Sequence, residues 1–143
     1  MAALYHDIGL TETHKNSKDC RCFTYESALQ FDKKAKQLDY DQNKSNIVKD
    51  AICMHMNGHI LDDNEPEIIL LQQGASCDVV GDKFFTLPEN YRIEVLEQYS
   101  RLKFNSEFKK LLAEESKNVK SSRSNFLSLL GLPMMIAMNP FGE

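Results

Sequence analysis

The residues of this 143-residue chain best suited to chemistry are a few histidines and carboxylates that stand where packing alone would not put them. His6 is followed at once by Asp7 at the end of the apolar stretch Ala2-Ala3-Leu4-Tyr5. Burying a carboxylate is costly unless it is paired or metal-bound. His55 closes the stripe Val48, Ala51, Ile52, His55, whose steps of three, one and three place it on a buried helix face. Asp78 closes another, Ile68, Leu71, Ala75, Asp78, with steps of three, four and three. Adjacent residues point about 100° apart around a helix, so His6 and Asp7 can share an ion only just off the helix side, with ligands from other helices completing the cage. His55 and Asp78 are the natural candidates. Imidazole and hard carboxylate donors, with no thiolate required, suit Mn, Fe, Zn or Mg rather than a Cys-bound structural zinc. The plainer alternative is that His55 and Asp78 are core residues satisfied by backbone or water. His6, Asp7, His55 and Asp78 on three apolar faces are hard to explain as separate accidents.

Other reactive residues give weaker patterns. Cys20-Arg21-Cys22 could join His14 and Asp19 at a metal, but no second Cys pair follows, and Cys53 and Cys77 lie apart on helical segments as small core hydrophobes. His59 has the i+4 spacing from His55 of a helical metal pair, yet Gly58 ends the helix first and leaves His59 in a loop at the site margin. Phosphate-binding glycine loops and the G-x-S-x-G nucleophile elbow do not occur.

The elements that must position these residues are helices. Residues 2–8 read as the end of a buried helix stopped by Gly9. A polar loop follows over 10–24. The spacing predicts helices over Tyr25–Leu38 and Ser45–Met56. Asn64-Glu65-Pro66-Glu67 signals the start of the next helix, which carries Asp78. Thr86-Leu87-Pro88-Glu89 fits a capping box ahead of the ladder Leu87, Tyr91, Val95, Tyr99. Phe104, Phe108, Leu111 and Leu112 mark another helix, and Asn125–Leu130 a last one, stopped at Gly131. The basic residues between Arg101 and Arg123 read as a solvated face, and Met134, Met135, Ile136 and Met138 as core closure. Strand alternation never persists, so the expected fold is all-α, in one domain over residues 1–143.

Composition narrows the partners. A net charge of −4 gives no positive field for nucleic acid or anionic lipid. The chain has no run of about 18 apolar residues to span a bilayer and no signal-peptide pattern at its start, so a cytoplasmic protein with reduced thiols and a small-molecule substrate is expected.

With these residues in place, the sequence resembles a known family. The string Ala2-Ala3-Leu4-Tyr5-His6-Asp7-Ile8-Gly9-Leu10-Thr11 resembles the defining motif of the HD-domain superfamily, all-helical metal-dependent enzymes named for adjacent His-Asp ligands. Phe23-Thr24-Tyr25-Glu26-Ser27-Ala28, Ala51-Ile52-Cys53-Met54-His55 and Gly74-Ala75-Ser76-Cys77-Asp78-Val79-Val80-Gly81 are similar in order and spacing to its cyanamide hydratase-like branch, as are Tyr99-Ser100-Arg101-Leu102 and Ser122-Arg123-Ser124-Asn125-Phe126. The resemblance implies that His6, Asp7 and Asp78 hold a divalent metal ion and that His55 lines the pocket as a substrate-contacting or second-metal residue. It also implies an HD-domain-like bundle lacking the first helices, because the family pattern opens with a further metal-binding His upstream and this chain begins too late to contain it. Thr24 stands where relatives often have Glu. The expected chemistry is attack by metal-activated water, with Asp7 and His55 at the reacting atoms, on either a phosphoester or a nitrile such as cyanamide. The alternative is a catalytically impaired HD remnant that pairs with itself or another chain through the face on which Leu4 and Ile8 would otherwise be exposed.

Overall fold

Apolar residues recurring at steps of three and four produce helices throughout, and no strand forms among the described residues, 1–15 and 22–143 of the computed structural model. The helices are α1 (Ala2–Tyr5), α2 (Phe23–Gln37), α3 (Gln42–Met54), α4 (Pro66–Val80), α5 (Glu89–Gln98), α6 (Phe104–Asn118), α7 (Arg123–Leu129) and α8 (Leu132–Ala137), with single 3-10 turns at Ile8–Leu10 and Phe84–Thr86. The all-α expectation holds. The Cys20-Arg21 half of the C-x-C pair and Asp19 lie outside the described residues.

Helices α2, α3 and α4 pack in succession and α1 leans on α2 and α3, while α6, α7 and α8 form a second group that reaches α4 through α8. Ala28, Phe31, Ala35, Val48 and Ile52 fill the α2–α3 seam, and Ala51, Ile60 and Ile68 the α3–α4 seam. Leu10, Phe23, Phe108, Leu112, Leu132 and Ile136 join the two groups.

Several local expectations are corrected. Helix α1 buries none of its residues, and Leu4 is 78% exposed. Gly9 is not a left-handed helix stop: it lies buried in the 3-10 turn, its N–H donates to Ser27 Oγ at 2.9 Å, and a Cβ there would stand 2.3 Å from the Phe23 carbonyl oxygen. Only glycine lets this turn close on α2. The capping box does not form: the Thr86 hydroxyl donates to the Lys83 carbonyl within its own 3-10 turn, and Pro88 is the residue preceding α5. Helix α5 itself forms but fully buries nothing, with Tyr91 and Tyr99 exposed. Gly131 takes a left-handed conformation and ends α7 as read, but Leu132-Pro133 then opens α8. There Ile136 alone of the Met-rich run is fully buried, while Met134, Met135 and Met138 remain exposed.

Candidate metal centre

Two helix ends and one turn build the site. His6 is the residue that closes α1, and His55 closes α3. The last carbonyls of a helix lack intrahelical partners, and both histidines satisfy one with the ring nitrogen nearer the backbone. His6 Nδ1 donates to Ala3 O at 2.9 Å and His55 Nδ1 to Ile52 O at 2.6 Å. A carbonyl can only accept, so each Nδ1 carries the hydrogen and each Nε2, in the neutral ring, is a lone pair.

Both lone pairs face the same carboxylate. Asp7, in the turn between α1 and the 3-10 segment, puts Oδ2 at 3.3 Å from His6 Nε2 and Oδ1 at 3.4 Å from His55 Nε2. The two rings stand edge to face, 5.0 Å between centres. One donor atom from each of His6, Asp7 and His55 can be chosen so that all lie within 4.8 Å of one another. Asp7 Oδ1 is buried and has no hydrogen-bond partner. A carboxylate oxygen and imidazole lone pairs that converge need a proton, a cation or a bridging water between them. Donors each about 2.1 Å from one tetrahedral ion stand about 3.4 Å apart; the two His–Asp contacts have that spacing, each to a different oxygen of Asp7. His6, Asp7 and His55 are thus residues that could hold a divalent ion. Two imidazoles among the donors favour Zn, Fe or Mn over Mg.

The electrostatics show the same tension. Burial pushes the Asp7 carboxyl up, but the His55 and His6 rings beside it outweigh burial and hold it well below the usual carboxylate range. Burial pulls the His6 imidazole down, but the Asp7 carboxylate, the Ala3 carbonyl and the charge of Asp78 more than restore it, leaving it above its ordinary 6.5. Without a metal, the Asp7 carboxylate favours the protonated form of His6.

Packing fixes these groups from behind. The Phe23 ring meets the His55 ring edge-on at 5.7 Å. Phe23 is held in turn by Glu115 of α6, whose carboxylate accepts from the Phe23 N–H at 2.5 Å and, with its other oxygen, from the Ser124 hydroxyl of α7. A carboxylate at the N-terminus of α2 also complements the helix dipole. The Arg123 guanidinium donates to Cys53 O at 3.1 Å and to Asn57 Oδ1, clamping the end of α3 on which His55 sits. Arg123 is thus a clamp, not part of a solvated face.

Asp78 lies elsewhere. Its side chain is 54% exposed and its Oδ1 accepts from Arg101 Nη1 at 2.5 Å. Arg101, only 8% exposed, also reaches Asp78 O, Asn105 Oδ1 and Gly142 O, and Asn139 Nδ2 bonds Asp78 O and Val79 O. These bonds cap the C-terminus of α4. Asp78 shares a groove with His6 but does not join the His6–Asp7–His55 cluster. His59 is exposed in the loop after α3, and His14 stands 4.0 Å from the buried Glu26 carboxylate, away from the cluster.

A cavity of about 500 Å³ opens on the cluster, with His6, Asp7 and His55 on its wall. No protein-family model matches the chain, and no curated protein matches it.

Proposed function

We propose that the chain is a metal-dependent enzyme of the cytoplasm that turns activated water on a small molecule, with His6, Asp7 and His55 holding the ion. The observation that carries this reading is the buried Asp7 Oδ1, without a hydrogen-bond partner and faced by an imidazole lone pair. The resemblance of the His6-Asp7 string and its downstream segments to the HD-domain superfamily supports it. A divalent ion supplies Lewis acidity and lowers the pKa of water toward neutrality. The protein's own residues do the rest. The Ala3 and Ile52 carbonyls fix both rings in one tautomer and orientation. The Phe23 ring packs on the buried His55 ring, and the cavity gives a substrate access to His6, Asp7 and His55. In this reading Asp78 acts on His6 through its charge, while Arg101 holds its carboxylate. The resemblance leaves phosphoester hydrolysis and nitrile hydration as the two reactions.

Metal analysis of purified protein after loading with Zn, Fe or Mn and removal of excess tests the reading. One equivalent in the wild type, absent in folded Asp7→Asn and His55→Ala, is the expected result; a wild type that retains no metal at neutral pH sinks it.

A second reading, a helical protein that pairs with a second copy of itself, is favoured by one observation. Leu4 and Leu70 are 78% and 68% exposed, and Leu70 lies on an apolar groove between α1, α3 and α4. Light scattering on the eluting protein distinguishes them, because a monomer at micromolar concentration excludes the pairing.

A further inference from the structure

The cavity in front of His6, Asp7 and His55 is walled chiefly by carbon. Val79 and Val80 come from α4, Phe108 from α6, Leu127 from α7 and Leu132 and Met135 from α8. Binding a phosphoester takes the reverse: helix N-termini, guanidinium forks or several ammonium groups around the anion. Here the C-terminal ends of α1, α3 and α4 border the cavity, against a single α-helix N-terminus, that of the six-residue α8 at Leu132. His6 closes α1, His55 and Met56 follow the end of α3, and Val79, Val80 and Gly81 end α4. Helix C-termini carry the negative end of the dipole. The charged lining adds two carboxylates, Asp7 and Asp82, and among the described residues a single permanent cation, Lys83 at the mouth. The guanidiniums close enough to matter, Arg101 and Arg123, are spent on helix ends and do not line the space.

We infer that the ligand of this cavity is an uncharged molecule with an apolar body and one small polar head, the body against Val79, Val80, Phe108 and Leu127 and the head toward the His6–Asp7–His55 cluster. This rests on the metal-centre reading only for what the head meets; the preference for an uncharged body comes from the walls. It separates the two reactions that the resemblance leaves level, because a nitrile or amide is such a molecule and a phosphate monoester is not.

A matched pair of probes tests it: benzonitrile and phenyl phosphate share one ring and differ in the charge of the head. Binding is followed by saturation-transfer NMR and calorimetric competition, first on metal-free protein and then after Zn loading. Benzonitrile is expected to bind the metal-free protein at least about 10-fold more tightly than phenyl phosphate, since an anion meets carbon and the carboxylates of Asp7 and Asp82 there. Met135→Glu, at a half-exposed position that tolerates the change, is expected to weaken benzonitrile by about 10-fold. Lys83→Gln is expected to leave it unchanged. Tighter binding of phenyl phosphate, lost in Lys83→Gln, overturns the inference, and so does benzonitrile binding that Met135→Glu does not touch, or none at all. Metal uptake is measured separately on the same samples. Benzonitrile binding by a protein that takes no metal keeps the inference and removes the metal centre, whereas metal uptake with phenyl phosphate preferred does the opposite.

Discussion

Asp7 and Asp78 both follow apolar stretches and both lie at the end of a helix, yet the chain treats them in opposite ways. Asp78 is half exposed and meets a permanent charge, the Arg101 guanidinium at 2.5 Å, while Asn139 and Arg101 tie down the backbone beside it. Among the described residues Asp7 is faced by two imidazoles, whose other nitrogens already bond to carbonyls, and one of its oxygens has no hydrogen-bond partner. A guanidinium cannot give up its charge, so Asp78 has a permanent partner at the end of α4. An imidazole can exchange its proton for a metal, so the partners of Asp7 are conditional, which is the property the proposed metal centre would use.

The contrast breaks most sharply on metal affinity. Asp7→Asn and His55→Ala should each lower affinity for Zn by about 100-fold or more, beyond the loss typical of supporting residues, whereas Asp78→Asn should change it less than about 3-fold. Competition against a chromophoric chelator measures all of them.

Stability sharpens it next. Gly9→Ala drives a Cβ against the Phe23 carbonyl and should cost about 2–3 kcal/mol, while Gly58→Ala, whose Cβ would enter open space, should stay within about 0.5 kcal/mol. Urea unfolding of the pair checks whether the turn carrying His6 and Asp7 needs its glycine. Arg101→Ala removes bonds to Asp78, Asn105 and Gly142 and should cost about 1–3 kcal/mol, with metal affinity unmoved. Asp78→Asn, at an exposed and solvent-screened pair, should cost less than about 1 kcal/mol.

The smallest effect is on pH dependence. His6 is raised above 6.5 in the folded, metal-free protein, so its stabilising contribution is complete below pH 6.5 and is lost as pH rises through the raised value. Asp7 is lowered from 3.8, so its contribution is present above pH 3.8 and is lost as pH falls toward the folded value. Metal-free protein should thus be most stable between these limits, and Zn affinity should increase as pH rises through the His6 value, with release of a proton. Thermal melts of metal-free protein from about pH 2 to 8 show both limbs, and melts with Zn across the His6 range show the gain in affinity.

Much of this was legible in the sequence because helix periodicity reports burial. The stripe Val48, Ala51, Ile52, His55 put the imidazole inside, and His55 is buried. The same arithmetic misplaced Asp78, since a stripe continues on paper past the point where α4 runs out of neighbours, and a guanidinium from 23 residues away is invisible to it. Arg101 and Arg123 were counted with the lysines as a solvated face, because charge reads alike whether a side chain ends in water or on a helix terminus. Glu115, Ser124 and Ser27 gave no local signal at all: each is polar at a position that matters only once α6, α7 and the 3-10 turn have met α2. The ladder Leu87, Tyr91, Val95, Tyr99 had helical spacing and made a helix, but spacing says nothing about what lies opposite, and α5 fully buries none of its residues.

The most direct test of the proposed metal centre is a Co²⁺ titration of metal-stripped protein, followed by its visible d–d absorption, with wild type, Asp7→Asn and Asp78→Asn in parallel. The expected result is a stoichiometric endpoint at one equivalent in the wild type and in Asp78→Asn, and no saturable band in Asp7→Asn that nonetheless keeps its helical circular dichroism. Loss of the endpoint in Asp78→Asn with its retention in Asp7→Asn, or no saturable band in the wild type, would contradict it.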